Sequence, residues 1–98
     1  MSAYAILDIE VIDPVAYETY RKLAPPTVAA YGGKYLARGG KTVTPEGSWK
    51  PQRLVILQFE SFDRAVQWLN PPEYSAIKHL RVESTHSNMV IVEGIDQI

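Results

Sequence analysis

A chain of 98 residues, 46% of them hydrophobic, has the size and composition of one globular domain with a single core. Ten basic and eleven acidic residues, for a net charge of −1, leave no electrostatic footprint for nucleic acid or an anionic membrane. The lack of cysteine excludes thiol nucleophiles, thiolate metal sites, iron–sulfur clusters and disulfides, so association with a second copy is the obvious further stabiliser of so small a core.

From Ala3 to Val11 the residues Ala5, Leu7, Ile9 and Val11 fall on one side, and Tyr4, Ile6, Asp8 and Glu10 on the other. A period of two predicts a strand. No basic, apolar leader precedes it, and no apolar run reaches membrane-spanning length, so the chain is expected in the cytoplasm. Asp13-Pro14 then predicts a helix start, because Asp13 can accept from free N–H groups and Pro14 lacks the donor orphaned there. Tyr17, Tyr20, Leu23, Ala24, Val28 and Tyr31 follow one helical stripe. Pro25-Pro26 is expected to break or kink that helix, and Gly32-Gly33 to end it.

Lys34 to Gly40 reads as a second strand that bulges or bends at Gly39-Gly40, and Thr42 to Pro51 as a hairpin connection. Arg53 to Phe59, rich in β-branched and apolar residues, predicts the central strand of the sheet. Ser61 caps a short helix whose apolar side is Phe62, Ala65, Val66 and Leu69, ended by Asn70-Pro71-Pro72. A further helix from near Pro72 carries Tyr74, Ile77 and Leu80 inward and leaves Lys78, Arg81 and Glu83 to water. Asn88 to Glu93 is the last strand. The order βαββαβ predicts one α+β domain over residues 1–98, a ferredoxin-like four-stranded antiparallel sheet with its helices on one face. Ile6, Leu36, Ile56 and Ile91 are expected on the uncovered face, too large an apolar patch for a monomer, which predicts a homodimer.

Chemistry-bearing residues are few. Neither His79 nor His86 stands in a metal-ligand spacing, so no metal is expected. His79 reads as a solvated or pocket-edge histidine or, alternatively, as an acid–base group. Ser, His and Asp occur without a GxSxG elbow, and the paired glycines match no nucleotide-binding loop, so neither a triad nor a cofactor is predicted. Tyr17, Tyr20 and Tyr31 have the spacing of a core stripe, with an aromatic ligand slot as the competing reading. Arg38 is the most informative position. Counted from Leu36, it should point into the dimer interior, where Asp8 or Gln58 could meet it. It would be either an interfacial ion pair or a ligand for a small organic anion. The candidate ligand-binding residues are Arg38, Gln58 and Tyr31, and the weak catalytic candidates are Asp8 and His79.

Asp13-Pro14 with Tyr17, Tyr31-Gly32-Gly33, LARGG at 36–40, Trp49, RLVILQF at 53–59, NPPEY at 70–74 and VIVEG at 90–94 run nearly end to end. In this combination the chain resembles the bacterial family named domain of unknown function 1330 (DUF1330). The resemblance implies a dimeric α/β barrel, in a superfamily that includes antibiotic-biosynthesis monooxygenases, muconolactone isomerases and haem-degrading relatives. Members often carry an acidic residue near the end of the third strand where this chain has Gln58, and no catalytic residue carries over. Fold analogy transfers no chemistry. Two functions therefore stand: a cofactor-free enzyme of the oxygenase, isomerase or dehydratase kind with a pocket in each subunit, or a non-catalytic homodimer that binds a metabolite or a protein. An enclosed pocket holding a titratable base favours the first, and a pocket filled by side chains the second.

Overall fold

The computed structural model describes residues 1–70 and 72–95, with the backbone alone at 72 and 73; Pro71, part of the expected helix stop, lies outside the described residues. Strand β1 spans Ala3–Val11, helix α1 Pro14–Ala30, β2 Lys34–Arg38, β3 Leu54–Phe59, α2 Phe62–Leu69, α3 Pro72–Ser84 and β4 Thr85–Glu93. The strands form one antiparallel sheet in the order β2-β3-β1-β4. This is the ferredoxin-like α+β arrangement expected from the element order.

Alternation in β1 works as read: Ala3, Ala5, Leu7 and Ile9 are buried under the helices, while Tyr4, Ile6 and Asp8 face the other side. The Asp13 carboxylate accepts from the N–H groups of Val15 and Ala16 and starts α1. Gly32, at φ 76°, supplies the left-handed turn that stops it, with the Gly33 N–H bonded to the Val28 carbonyl.

Pro25 and Pro26 do not break α1, which continues through them. Arg21 and Lys22, whose carbonyls lose their usual donors, lie on the exposed side, where water can serve them. The Thr27 hydroxyl bonds back to the Ala24 carbonyl at 2.7 Å and also accepts from the Trp68 indole N–H at 3.1 Å. Trp68 therefore locks α2 onto α1. Its ring lies 5.5 Å from Phe59 and 4.3 Å from Tyr74, centroid to centroid, in the middle of the core.

Two sheet facings differ from expectation. Ile91 pairs with Ala5 and packs against the core, so it is Val90 and Val92 that stand on the uncovered face. In β2 the register shifts between Tyr35 and Ala37, which makes Leu36 an extra residue in the ladder. The bulge sits upstream of the glycine pair expected to hold it. Arg38 consequently lies opposite buried Val55 rather than beside Leu36 on the uncovered face.

Candidate functional site

Between residues of α1 and those of β1, β2 and β3 a cleft of about 20 Å³ remains. Such a space holds about one water. Leu7, Ile9, Val55 and Leu57 of the sheet and Trp68 of α2 line it with apolar surface, and Tyr17, Tyr20, Arg21, Tyr35 and Arg38 are its residues with polar side-chain groups. The Arg38 guanidinium lies over the Tyr35 ring, 4.9 Å from the centroid, at the exposed rim. Nearby, Arg53 donates to the Tyr17 hydroxyl at 3.2 Å and lies beside Gly39, whose φ of 71° and lack of a side chain let it pass.

The lining includes two arginines and three phenol hydroxyls, which can both donate and accept, and no carboxylate. Burial, followed by the neighbouring Tyr74 hydroxyl, pushes the Tyr20 phenol far above the ordinary tyrosine range. Burial also raises Tyr35, against the pull of the Arg38 charge beside it. Both are therefore neutral O–H groups at ordinary pH. Arg21 is engaged by Glu18 on the helix surface at 2.6 Å, the one ion pair among the described residues. Arg38 has no carboxylate within ion-pair distance among them.

Behind the cleft, Tyr20 leads into a buried polar chain. Its hydroxyl lies 3.0 Å from that of fully buried Tyr74. Arg81 donates from Nε to the Tyr74 hydroxyl at 3.1 Å and from Nη1 to Ser87 at 2.5 Å. Arg81 is only 7% exposed, so the water-facing position expected for it is overturned. Seven residues past Tyr74 is two helical turns, and this puts both side chains on one face of α3.

The sequence candidates do not converge. Arg38 lines the cleft, but on the helix side of the sheet, and the expected placement inside a dimer with Asp8 or Gln58 is corrected by the bulge. Asp8 lies on the uncovered face, where it accepts from the Trp49 indole at 2.7 Å and the Gln52 N–H at 2.9 Å. Gln58 shares that face, in register with Tyr4 and Lys34, and donates to Ser2 at 3.2 Å. Tyr31 sits past the end of α1 beneath the Arg64 guanidinium, 5.3 Å from its ring. His79 is exposed on α3. Tyr35, Tyr74 and Arg81 are the groups that sequence reasoning missed as site residues, and Tyr20 enters it only through the competing ligand-slot reading. The stripe Tyr17-Tyr20 was visible, but a core tyrosine needs a partner for its hydroxyl, and that requirement was the signal for the buried chain. Among the described residues no group of three His, Cys, Asp or Glu could hold a metal ion, and no helix is long and apolar enough to cross a membrane.

The family described as Domain of unknown function (DUF1330) matches residues 2–95. No curated protein matches the chain. Among solved structures, a protein of unknown function from Rhodopseudomonas palustris is similar with a TM-score of 0.75 at 15% identity, over 98% of this chain and 84% of that one. A dimeric protein of unknown function and ferredoxin-like fold from Bacteroides fragilis follows at 0.62 and 15%, over 95% and 96%. A candidate antibiotic biosynthesis monooxygenase from Nitrosomonas europaea gives 0.57 at 10%, over 96% and 90%. At these identities the likeness is one of fold.

Proposed function

Since the chain belongs to the DUF1330 family, whose description carries no activity, we propose from its own geometry that it is a homodimeric protein binding a small organic anion at the Arg38 rim of the α1–sheet cleft of each subunit, outside the one-water space beneath it. One observation carries the reading: the cleft's lining includes two arginines and no carboxylate, and its rim arginine has no carboxylate partner among the described residues. An anion supplies what that lining lacks. Acid–base catalysis is less well supported, because Asp8 is tied to Trp49 on the opposite face and His79 stands outside the lining.

Dimerisation is supported by the uncovered face, where Leu36, Val90 and Val92 are 53%, 57% and 46% exposed beside Ile6 and Ile56, and by the dimeric Bacteroides fragilis protein of the same fold. The bacterial sources of these structures support a bacterial setting, and the cytoplasmic assignment rests on the sequence reading alone.

Thermal shift with acetate, benzoate and pyruvate tests the anion. At least one should raise the melting temperature in a concentration-dependent way, Arg38→Met should abolish the shift, and Arg38→Lys should keep part of it. No shift with any of the three, or one that survives Arg38→Met, overturns the reading. For the dimer, Ile56→Asp should yield monomer or unfolded protein by sedimentation equilibrium. An intact dimer would place the interface elsewhere.

A further inference from the structure

We propose that Arg81 and the start of β4 form a second anion site, separate from the rim of the α1–sheet cleft, and that it takes a phosphate-type oxyanion. An open recess of about 530 Å³ lies where α3 runs into β4, bounded by Arg81 and Val82 of the helix and by Thr85, His86, Ser87 and Asn88 of the strand. It shares no lining residue with the cleft, and none of its lining residues is acidic. Its volume is far above the roughly 10–15 Å³ that a single water needs.

The charge of Arg81 carries the inference. The residue is 7% exposed, and an arginine this deep needs a compensating partner. The protein supplies only neutral ones: Nε gives to the Tyr74 hydroxyl and Nη1 to Ser87, with no carboxylate in ion-pair range among the described residues. Nη2 has no acceptor among them. Yet among the described residues no side-chain nitrogen or oxygen is both sealed from solvent and without a partner. Nη2 therefore reaches the surface, and the surface that Arg81 lines is this recess. The guanidinium is held from behind and open in front.

A basic residue in the last turn of a helix commonly serves the free carbonyls there. In α3 other groups meet them. The Ser84 hydroxyl gives to the Leu80 carbonyl, the Thr85 hydroxyl to that of Arg81 at 2.6 Å, and the N–H groups of Ile12 and Asp13 to that of Ser84. The Arg81 charge is left for a ligand, and the satisfied carbonyls oppose an anion less. Because the Thr85 proton is committed to the Arg81 carbonyl, Ser87, which accepts from Arg81, keeps its own proton to give. The Thr85 oxygen, 3.3 Å away, is its weak competitor. An oxyanion in the recess thus meets one charged and one neutral donor. Water competes in so open a site, and a doubly charged phosphate gains about twice the Coulomb attraction of a carboxylate.

Nitrogen-15 spectra of the full chain, titrated above neutral pH with sodium phosphate against sodium chloride at matched ionic strength, test this. Phosphate should give saturable shifts centred on the Ser87 and Asn88 amides and the Arg81 Nε–H. Val82 is 56% exposed beside the recess, so Val82→Glu places a negative charge at its mouth while leaving the bonds of Arg81 intact. It should weaken phosphate at least about fivefold, and Val82→Lys should tighten it by a similar factor. Arg81→Met should abolish binding, and the Val82 pair decides the matter if that variant does not fold. Acetate should bind at least about fivefold more weakly than phosphate. No saturable shift at Ser87 and Asn88 beyond that given by chloride, or an affinity unmoved by the charge at residue 82, overturns the site. Acetate binding there as tightly as phosphate overturns the ligand class. Saturable shifts confined to Tyr35 and Gly39 would put phosphate at the Arg38 rim, and overturn this site while leaving the rim reading intact.

Discussion

The two arginines at opposite ends of the polar system invert what their positions in sequence suggest. Arg81, in a helix beside Lys78 and Glu83, is buried; Arg38, in a strand of apolar neighbours, is exposed. Both facings have local causes. Tyr74, Ile77 and Arg81 occupy one stripe of α3, and once Tyr74 is anchored by Trp68 the guanidinium is carried inward, where hydroxyls receive it. Arg38 reaches the helix side of the sheet because one extra residue in β2 resets the alternation. The comparison teaches that the buried end is held by the core, whereas the exposed end is held mainly by one ring contact. Variants at the two ends should therefore behave differently.

The largest effect is expected where the core and the buried polar chain meet. Trp68→Ala removes the ring contacts to Phe59 and Tyr74 and the hydrogen bond to Thr27, and should cost about 3–5 kcal/mol in urea unfolding. A cost below about 1 kcal/mol would mean that Tyr74 is not held by this ring, and the contrast between the two ends would lose its basis.

Alkaline pH gives the next effect. The Tyr20 phenol is raised above its ordinary value of 10.0, first by burial and then by Tyr74, so the unfolded chain releases this proton before the folded one does. The stability it contributes is complete below pH 10 and is lost as pH rises above it, by up to about 1.4 kcal/mol per pH unit for this one group. Unfolding followed from pH 9 upward should steepen accordingly in the wild type and less in Tyr20→Phe. Equal slopes would show that Tyr20 titrates normally and is not sealed under α1.

Much of this architecture is legible in the sequence. Alternation in β1, the Asp13 and Ser61 caps and the Gly32 stop are local rules, and each operates as its residue type demands. The facing of Ile91 and Arg38 was not, since register depends on which residues the neighbouring strands offer and a bulge leaves no unambiguous mark. Continuity of α1 through Pro25-Pro26 also escapes local rules, because tertiary burial of Ala24, Thr27 and Val28 holds the helix on both sides of the pair. The site was least legible. Arg81 reads as water-facing by residue type although its spacing matches the buried stripe, and a tyrosine stripe reads as core unless the partners of its hydroxyls are followed.

The smallest effect on stability is expected at Arg38. Exposed cations over an aromatic ring contribute about 0.5–1 kcal/mol, and a methionine at the same place keeps part of the contact with Tyr35, so Arg38→Met should leave unfolding at neutral pH within about 0.5 kcal/mol of wild type. What should move is the titration of the neighbouring phenol. Burial raises Tyr35, and the charge and hydrogen bond of Arg38 hold it down; with the charge gone, only the raising influences are left. Ultraviolet titration of the phenols, with Tyr35→Phe to assign the transition, should show Tyr35 ionising at higher pH in Arg38→Met than in wild type. A downward or absent change would place the guanidinium away from the Tyr35 ring in solution and remove the rim from the proposed anion site.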